Sequence, residues 1–157
     1  MDTDGVIQLV ALLILIGLSA FFSSAETSLT TVNKVRLKAL ADEGNKRAQI
    51  ALEVLERYGK MLSAILIGNN IVNISASALA TTLAIKVHLA VGIATGLLTV
   101  IILLFGEIVP KNVAMVYSEK LALFYASLIG GMMKIMTPVI FLVDKLAGGL
   151  MKLLHID

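Results

Sequence analysis

Three uncharged apolar runs constrain the fold of this chain more than any other feature of its sequence. Residues 5–25, 61–85 and 87–106 contain no Asp, Glu, Lys or Arg. Each run reaches the roughly 20 residues that a helix needs to cross the hydrocarbon core of a bilayer. We therefore predict an all-α integral membrane protein embedded in a lipid bilayer.

The predicted transmembrane helices lie at about 5–32, 61–86 and 89–109. The first is not read as a signal peptide, because Asp2 and Asp4, and no basic residues, precede its apolar run.

Composition supports this class and excludes others. Hydrophobic residues make up 58% of the chain, whereas soluble domains contain roughly 45–50%. A net charge of +2 is too small to indicate a nucleic-acid partner, and the absence of cysteine excludes disulfides, thiolate metal sites and thiol catalysis. We expect a single membrane domain over residues 1–157. We do not expect an enzyme, because no His, Cys or Ser–Lys pair shares a membrane depth suited to catalysis.

The distribution of basic residues predicts the orientation in the membrane. Lys and Arg are concentrated between the first two apolar runs, and the tail before the first run has none. By the positive-inside rule, the N-terminus lies outside, and residues 33–60 and the C-terminal part lie in the cytoplasm. We expect a multi-pass protein of the cell inner (plasma) membrane.

Residues 33–60 have the pattern of a cytoplasmic helical hairpin. Asn33 and Asn45 stand at positions where their side chains cap the first turn of a helix. Gly44 lies between the two predicted helices, where a left-handed residue ends the first.

The segment at about 119–153 allows two interpretations. It is apolar enough for a fourth span, but Lys134 lies at the middle of its apolar run, Gly130–Gly131 precede that lysine and Pro138 follows it. A central lysine costs about 2.5–3.5 kcal/mol on membrane-insertion scales. We therefore predict a bent juxtamembrane helix along the cytoplasmic face. The sequence ends at "LLHID", which we interpret as a truncation ahead of a cytoplasmic domain.

Polar residues occur within all three predicted spans. The first span carries a Ser/Thr-rich stretch around Ser24 and Ser28, the second carries Asn69, Asn70 and Asn73, and the third ends at Glu107. At about 1.5 Å per residue, Ser24 and Glu107 both lie roughly 27 Å from the outer edge of the membrane, and Asn70 lies roughly 14 Å from the inner edge. The three groups can therefore meet in the inner half of the membrane.

Pro110 strengthens the case for a polar centre. Proline has no N–H, so the Gly106 carbonyl loses its helical donor and needs another partner in lipid. Hydroxyl, amide, carbonyl and carboxylate oxygens together suit Mg²⁺, Ca²⁺ or Na⁺. Simpler explanations stay open: the asparagines join helices to one another, Glu107 lies at the interface, and Pro110 only ends a helix.

Three motifs, in order on successive spans, resemble the transmembrane domain of the CorC/cyclin M magnesium transporter family. They are "FFSSAETSLT" at 21–30, "LIGNNIVNI" at 66–74 and "GEIVPK" at 106–111. The resemblance implies a homodimer with three spans and a belt-like juxtamembrane helix in each subunit. It also implies cytoplasmic CBS domains, and usually a CorC–HlyC domain, which this sequence does not contain.

The resemblance further implies export of Mg²⁺ coupled to Na⁺ entry. The ion ligands that it implies are Ser23, Ser24, Ser28, Asn70, Asn73, Gly106 through its carbonyl, and Glu107; Gly106 and Pro110 would form a kink that gates the site. Two alternatives remain: a passive divalent-cation channel, and a non-transporting Mg²⁺-sensing membrane anchor.

Overall fold

The computed structural model describes residues 3–155, and helices account for nearly all of them. The elements are α1 (Thr3–Thr31), α2 (Lys34–Asp42), α3 (Lys46–Glu56), α4 (Tyr58–Lys86), α5 (Val91–Ile101), a π-helical segment (Ile102–Ile108), α6 (Val109–Val116), α7 (Ser118–Ile135) and α8 (Thr137–Leu153). The prediction of an all-helical protein is confirmed.

Three helices are long and apolar enough to cross a membrane: α1, α4 and the continuous helix Val91–Val116, which joins α5, the π-helical segment and α6. This confirms the three predicted candidate spans. The third span was predicted to end at 109, but its helix continues to Val116. Large apolar side chains remain exposed along all three helices, as expected for surfaces that contact lipid.

The helices α7 and α8 follow one another with a bend of 73°. Together they are also apolar enough for one broken span. The bend falls at Met136, between the Gly130–Gly131 pair and Pro138 that the sequence marked as breaking points. The location of α7 and α8 along a membrane face stays a prediction.

The segment between α1 and α4 forms two short helices with the predicted caps. The Asn33 side chain accepts hydrogen bonds from the backbone N–H groups of Val35 and Arg36, at 2.9 and 3.2 Å. Asn45 caps α3 by accepting from Ala48 N–H at 3.1 Å. Gly44 lies between the helices with φ +94°, in the left-handed region that glycine adopts at a helix C-terminus.

The buried core lies at one end of the bundle. We call this the hairpin end: it is where α1 ends, α4 begins, and α2 and α3 join them. Its buried apolar residues come from α1, α2, α3, α4, α7 and α8. Small side chains such as Ala25, Ala51, Ala64 and Ala126 occupy the contacts between helices, which lets their backbones approach closely. The helix α1 lies at the centre and packs against α4, α6, α7 and the π-helical segment.

We expect Gly44→Ala to lower the free energy of unfolding by about 1–2 kcal/mol, because alanine is disfavoured in the left-handed conformation. Gly59→Ala is the control: Gly59 also has open space around it, but it has no positive φ. The measurement is reversible unfolding of the detergent-solubilised domain in SDS, followed by far-UV circular dichroism. Equal stability of the two variants would contradict this account of the turn.

Candidate functional site

A row of buried serines on α1 forms the first side of the site. Ser19, Ser23, Ser24 and Ser28 are 1%, 2%, 5% and 0% exposed. Ser19 and Ser23 are four residues apart, as are Ser24 and Ser28, so each pair shares a face of the helix. The structure therefore buries all three predicted serines and adds Ser19, which the sequence analysis missed although its spacing from Ser23 marks it.

Two of the four serine hydroxyls, those of Ser24 and Ser28, donate their protons to backbone carbonyls of the same helix and keep oxygen lone pairs for other partners. Ser24 Oγ donates to the Ala20 carbonyl at 2.8 Å, and Ser28 Oγ donates to the Ala25 carbonyl at 3.1 Å. A hydroxyl that donates its proton still has two lone pairs. Backbone bonding of these serines is thus compatible with a role as oxygen ligands.

Tyr125 brings α7 into contact with this serine row. Its hydroxyl lies 2.9 Å from Ser24 Oγ, so the two hydroxyl groups share a hydrogen bond. Its ring also packs edge to face with Phe21, with ring centroids 5.2 Å apart. The sequence analysis missed Tyr125. The sequence did indicate it: a tyrosine within an apolar helix usually has a hydrogen-bond partner for its hydroxyl when it is buried.

Gly106 forms the second side of the site by packing directly against Ser19. A Cβ atom at Gly106 would lie 2.9 Å from Ser19 Oγ and 3.3 Å from Ser19 Cβ. Only glycine allows this approach of the third span to α1 without a shift of the neighbouring atoms. The predicted site residue Gly106 therefore does meet the serine row, through a serine that the sequence analysis had not singled out.

The backbone around Gly106 adopts a π-helical register. The Val109 N–H donates to the Leu104 carbonyl, five residues earlier. In a regular α-helix the Val109 N–H would donate to the Phe105 carbonyl. Pro110, the next residue, has no N–H that could donate to that carbonyl instead. The register change therefore deprives the Phe105 carbonyl of a helical donor, one residue before the carbonyl that the sequence analysis singled out. The helix continues through Pro110 instead of breaking there. Single π turns in α-helices are frequent at functional sites.

The asparagines of α4 differ in their surroundings. The Oδ1 atoms of Asn69 and Asn73 are buried and have no hydrogen-bond partner within residues 3–155, and the same holds for Ser19 Oγ. Asn70, a predicted ligand, is exposed in the single chain. Asn69 was not among the predicted ligands, yet its amide oxygen is one of the unpartnered atoms.

Contacts between α1 and α4 give the depths of these groups. The Phe22 ring occupies the space beside Gly68, where an added Cβ would lie 2.6 Å from Phe22 Cζ. Both helices meet the hairpin end, so they run antiparallel. From this contact, Ser19 lies roughly 4–5 Å and Asn73 roughly 7–8 Å toward the opposite end of the bundle, at 1.5 Å per residue. Ser19 and Asn73 are therefore at similar depth. We call Ser19, Ser23, Asn69, Asn73 and Gly106 the polar centre.

Glu107 lies beside Gly106 and is partly shielded from solvent. Its side chain is 33% exposed, and its Oε2 lies 3.8 Å from Lys111 Nζ, one helical turn later. At this exposure an ion pair contributes little, so a cation can compete with Lys111 for the carboxylate. Within residues 3–155, no group of three or more His, Cys, Asp or Glu side chains is placed to hold a metal. Glu107 is the carboxylate adjacent to the polar centre.

The fold and its polar centre define an all-helical membrane domain that buries hydroxyl and amide oxygens between its spans. The chain belongs to the family of the cyclin M transmembrane N-terminal domain, which it matches over residues 10–156. The resemblance inferred from the three motifs is thereby confirmed.

Similar proteins include bacterial membrane proteins of greater length. One is a UPF0053 protein of Haemophilus influenzae, 43% identical over 92% of this chain and 35% of its own length. Another is the UPF0053 inner membrane protein YfjD of Escherichia coli, 38% identical over 88% of this chain and 33% of its own. A third is the polyamine export protein of Escherichia coli, 28% identical over 89% of this chain and 35% of its own. The chain thus spans about a third of the length of these relatives.

We expect Gly106→Ala to destabilise the domain by about 1–3 kcal/mol, because the new methyl group overpacks the contact with Ser19. The control is Gly96→Ala in the same span, where nothing lies within 4 Å of the added Cβ. Unfolding in SDS measures both. Restoration of stability by Ser19→Gly in the Gly106→Ala background would assign the loss to this contact; unchanged stability of Gly106→Ala would refute it.

Proposed function

We propose that this domain carries Mg²⁺ across the membrane through the polar centre, with Na⁺ entry driving Mg²⁺ export. Four buried side-chain oxygens within residues 3–155 have no hydrogen-bond partner: Gln8 Oε1, Ser19 Oγ, Asn69 Oδ1 and Asn73 Oδ1. The observation that carries the proposal is that three of the four, those of Ser19, Asn69 and Asn73, belong to the polar centre. A buried polar atom without a hydrogen bond costs about 1–3 kcal/mol. Three such unpartnered oxygens in one bundle are explained if a transported cation binds them intermittently.

The chemistry of the available oxygens favours a hard cation. Serine hydroxyls, asparagine carbonyls, the backbone carbonyls near Pro110 and the Glu107 carboxylate are all oxygen ligands, which Mg²⁺ and Na⁺ prefer. Mg²⁺ gives up water reluctantly, so we expect weak binding. Weak binding suits a carrier, because the ion must also leave the site.

In this proposal, residues of all three spans supply oxygen ligands to the cation. Ser19 and Ser23 supply hydroxyl oxygens from α1, and Asn69 and Asn73 supply amide oxygens from α4. Ser28 lies about 13 Å along α1 from Ser19, so the predicted ligands Ser24 and Ser28 would contact the ion only on its way between the polar centre and the hairpin end. Glu107 supplies the negative charge: its carboxylate leaves the ion pair with Lys111 and binds the cation instead. Asn70, which is exposed in the single chain, contributes if the predicted homodimer places it against a second subunit.

The π-helical segment provides a means of gating the site. A π turn contains one more residue than an α turn, so its return to the α register rotates the following residues by about 100° relative to those before it. Such a change would turn Glu107 toward or away from the polar centre. Pro110 favours the register change because it cannot complete the regular α-helical bonding.

Polyamine export is a second candidate, supported by two relatives, 28–29% identical to this chain, that are named polyamine export proteins. The ammonium groups of a polyamine donate hydrogen bonds to carbonyl and carboxylate oxygens, so Asn73 and Glu107 would suit it as well. The passive channel and the non-transporting anchor also remain candidates. The predicted orientation, with the N-terminus outside, and the predicted cytoplasmic CBS partners belong to the same proposal.

We expect Mg²⁺ to raise the unfolding temperature of the detergent-purified domain, and Glu107→Gln to remove this effect. A ligand that binds only the folded state stabilises it in proportion to its occupancy, by about 2.7 kcal/mol at one hundred times Kd. The control variant is Glu43→Gln, which makes the same chemical change at an exposed position of the hairpin turn.

Parallel titrations with Na⁺, Ca²⁺ and a linear diamine distinguish the candidates. Protection by the diamine alone would favour polyamine export. Protection by no cation up to tens of millimolar would favour the anchor. If Mg²⁺ protects, flux into liposomes with and without a Na⁺ gradient separates a coupled carrier from a passive channel.

A further inference from the structure

A cleft lies at the hairpin end, between α3 and α7, and its lining residues are separate from the polar centre. Its volume is about 450 Å³, within the roughly 300–1,000 Å³ typical of small-molecule sites. Apolar residues Ile50, Val54 and Met133 form part of its wall. The remaining wall is strongly polar.

Four charged side chains line this cleft: Glu53, Glu56, Arg57 and Lys134, together with the hydroxyl of Ser127. Within the described part of the chain, none of these four side chains makes an ion pair or a hydrogen bond with another residue. All four are exposed and therefore accessible to a ligand. Two carboxylates beside two cations are complementary to a ligand that carries both charges.

The glycine pair of α7 shapes the cleft. Gly130 packs against α3, since an added Cβ would lie 3.3 Å from Val54 Cγ2. Gly131 lines the cleft and has no atom within 4 Å of an added Cβ. A side chain at Gly131 would therefore occupy the cleft without disturbing the contact between the helices.

An exposed apolar stripe on α7 passes over Gly131. Phe124, Leu128 and Ile135 are 56%, 52% and 82% exposed. With Gly131 they follow the spacing i, i+4, i+7, i+11 of a single helix face. Exposed apolar surface next to a membrane domain is suited to lipid chains. The cleft thus joins a zwitterionic wall to an apolar surface at the end of the spans.

We propose that this cleft binds the headgroup of a phospholipid with a primary ammonium group, of the phosphatidylethanolamine class. Arg57, Lys134 and Ser127 hold the phosphodiester, and Glu53 and Glu56 hold the ammonium group. The acyl chains lie along Phe124, Leu128 and Ile135. The inference is independent of which cation the domain carries.

The test uses the purified domain in detergent and short-chain lipids added as ligands. Phosphatidylethanolamine should raise the unfolding temperature to a plateau. Phosphatidylglycerol lacks the ammonium group and phosphatidylcholine has no N–H to donate, so both should act at least about ten-fold more weakly, the factor expected for loss of one charge-assisted interaction. Soluble phosphoethanolamine supplies the headgroup without the chains and should also be weaker.

The variants locate the site. Gly131→Leu should fill the cleft and weaken phosphatidylethanolamine binding by about ten-fold or more, the factor expected when a ligand contact is lost. Gly148→Leu is the control, because Gly148 on α8 also has nothing within 4 Å and lies outside the cleft. Lys134→Gln is a smaller change that removes one proposed contact with the phosphate. It replaces Gly131→Leu as the test variant if Gly131→Leu fails to fold.

Three results would overturn the proposal. Equal protection by all three lipids would show general solvation by lipid. Saturating protection by phosphoethanolamine at the same concentration as the lipid would assign the cleft to a soluble ligand. Unchanged binding in both Gly131→Leu and Lys134→Gln would place the lipid elsewhere.

Discussion

The need of buried oxygens for partners in an apolar bundle is the constraint on which the rest of this structure depends. The helix α1 carries four buried serines through the centre of the molecule, and the other helices are arranged around them. Gly106 allows the third span to touch Ser19, Tyr125 of α7 is hydrogen-bonded to Ser24, and α4 brings Asn69 and Asn73 to neighbouring depths. Some of these oxygens are satisfied within the chain and three are not. That difference separates the structural hydrogen bonds from the atoms available to a ligand.

Local rules predicted the helices and their ends, because those rules depend on few neighbours. Uncharged runs of membrane length marked the three spans, and side-chain caps at Asn33 and Asn45 marked the hairpin helices. The burial of the serines was also predictable from their place within a span. The exposure of Asn70 and the contact with Tyr125 were not, since both depend on how each helix is rotated when the bundle packs. The π register was missed for a similar reason: Pro110 indicated disturbed bonding, but which carbonyl accepts from the Val109 N–H depends on how the third span packs against α1.

The helix α7 connects three parts of the molecule. Tyr125 reaches the serine row, Gly130 and Gly131 shape the cleft beside α3, and Glu119 pairs with Arg36 of the hairpin at 3.4 Å. The adjacent α8 is joined to the start of α4 by a hydrogen bond from Lys60 Nζ to Thr137 Oγ1, at 2.9 Å. A displacement of α7 would therefore change contacts both at the hairpin end and at the serine row of α1.

The central claim, that the unpartnered asparagine oxygens are ligands and not links between helices, is tested most directly by Asn73→Leu. Leucine has nearly the same shape and no polar atom, so replacing an unsatisfied buried amide with it is neutral or stabilising, whereas replacing a hydrogen-bonded amide is costly. The measurement is the unfolding temperature of wild type and Asn73→Leu, in chelator and in saturating Mg²⁺. Our account predicts a variant at least as stable as wild type in chelator that gains no protection from Mg²⁺. A variant that is less stable in chelator, or that keeps full Mg²⁺ protection, would contradict it.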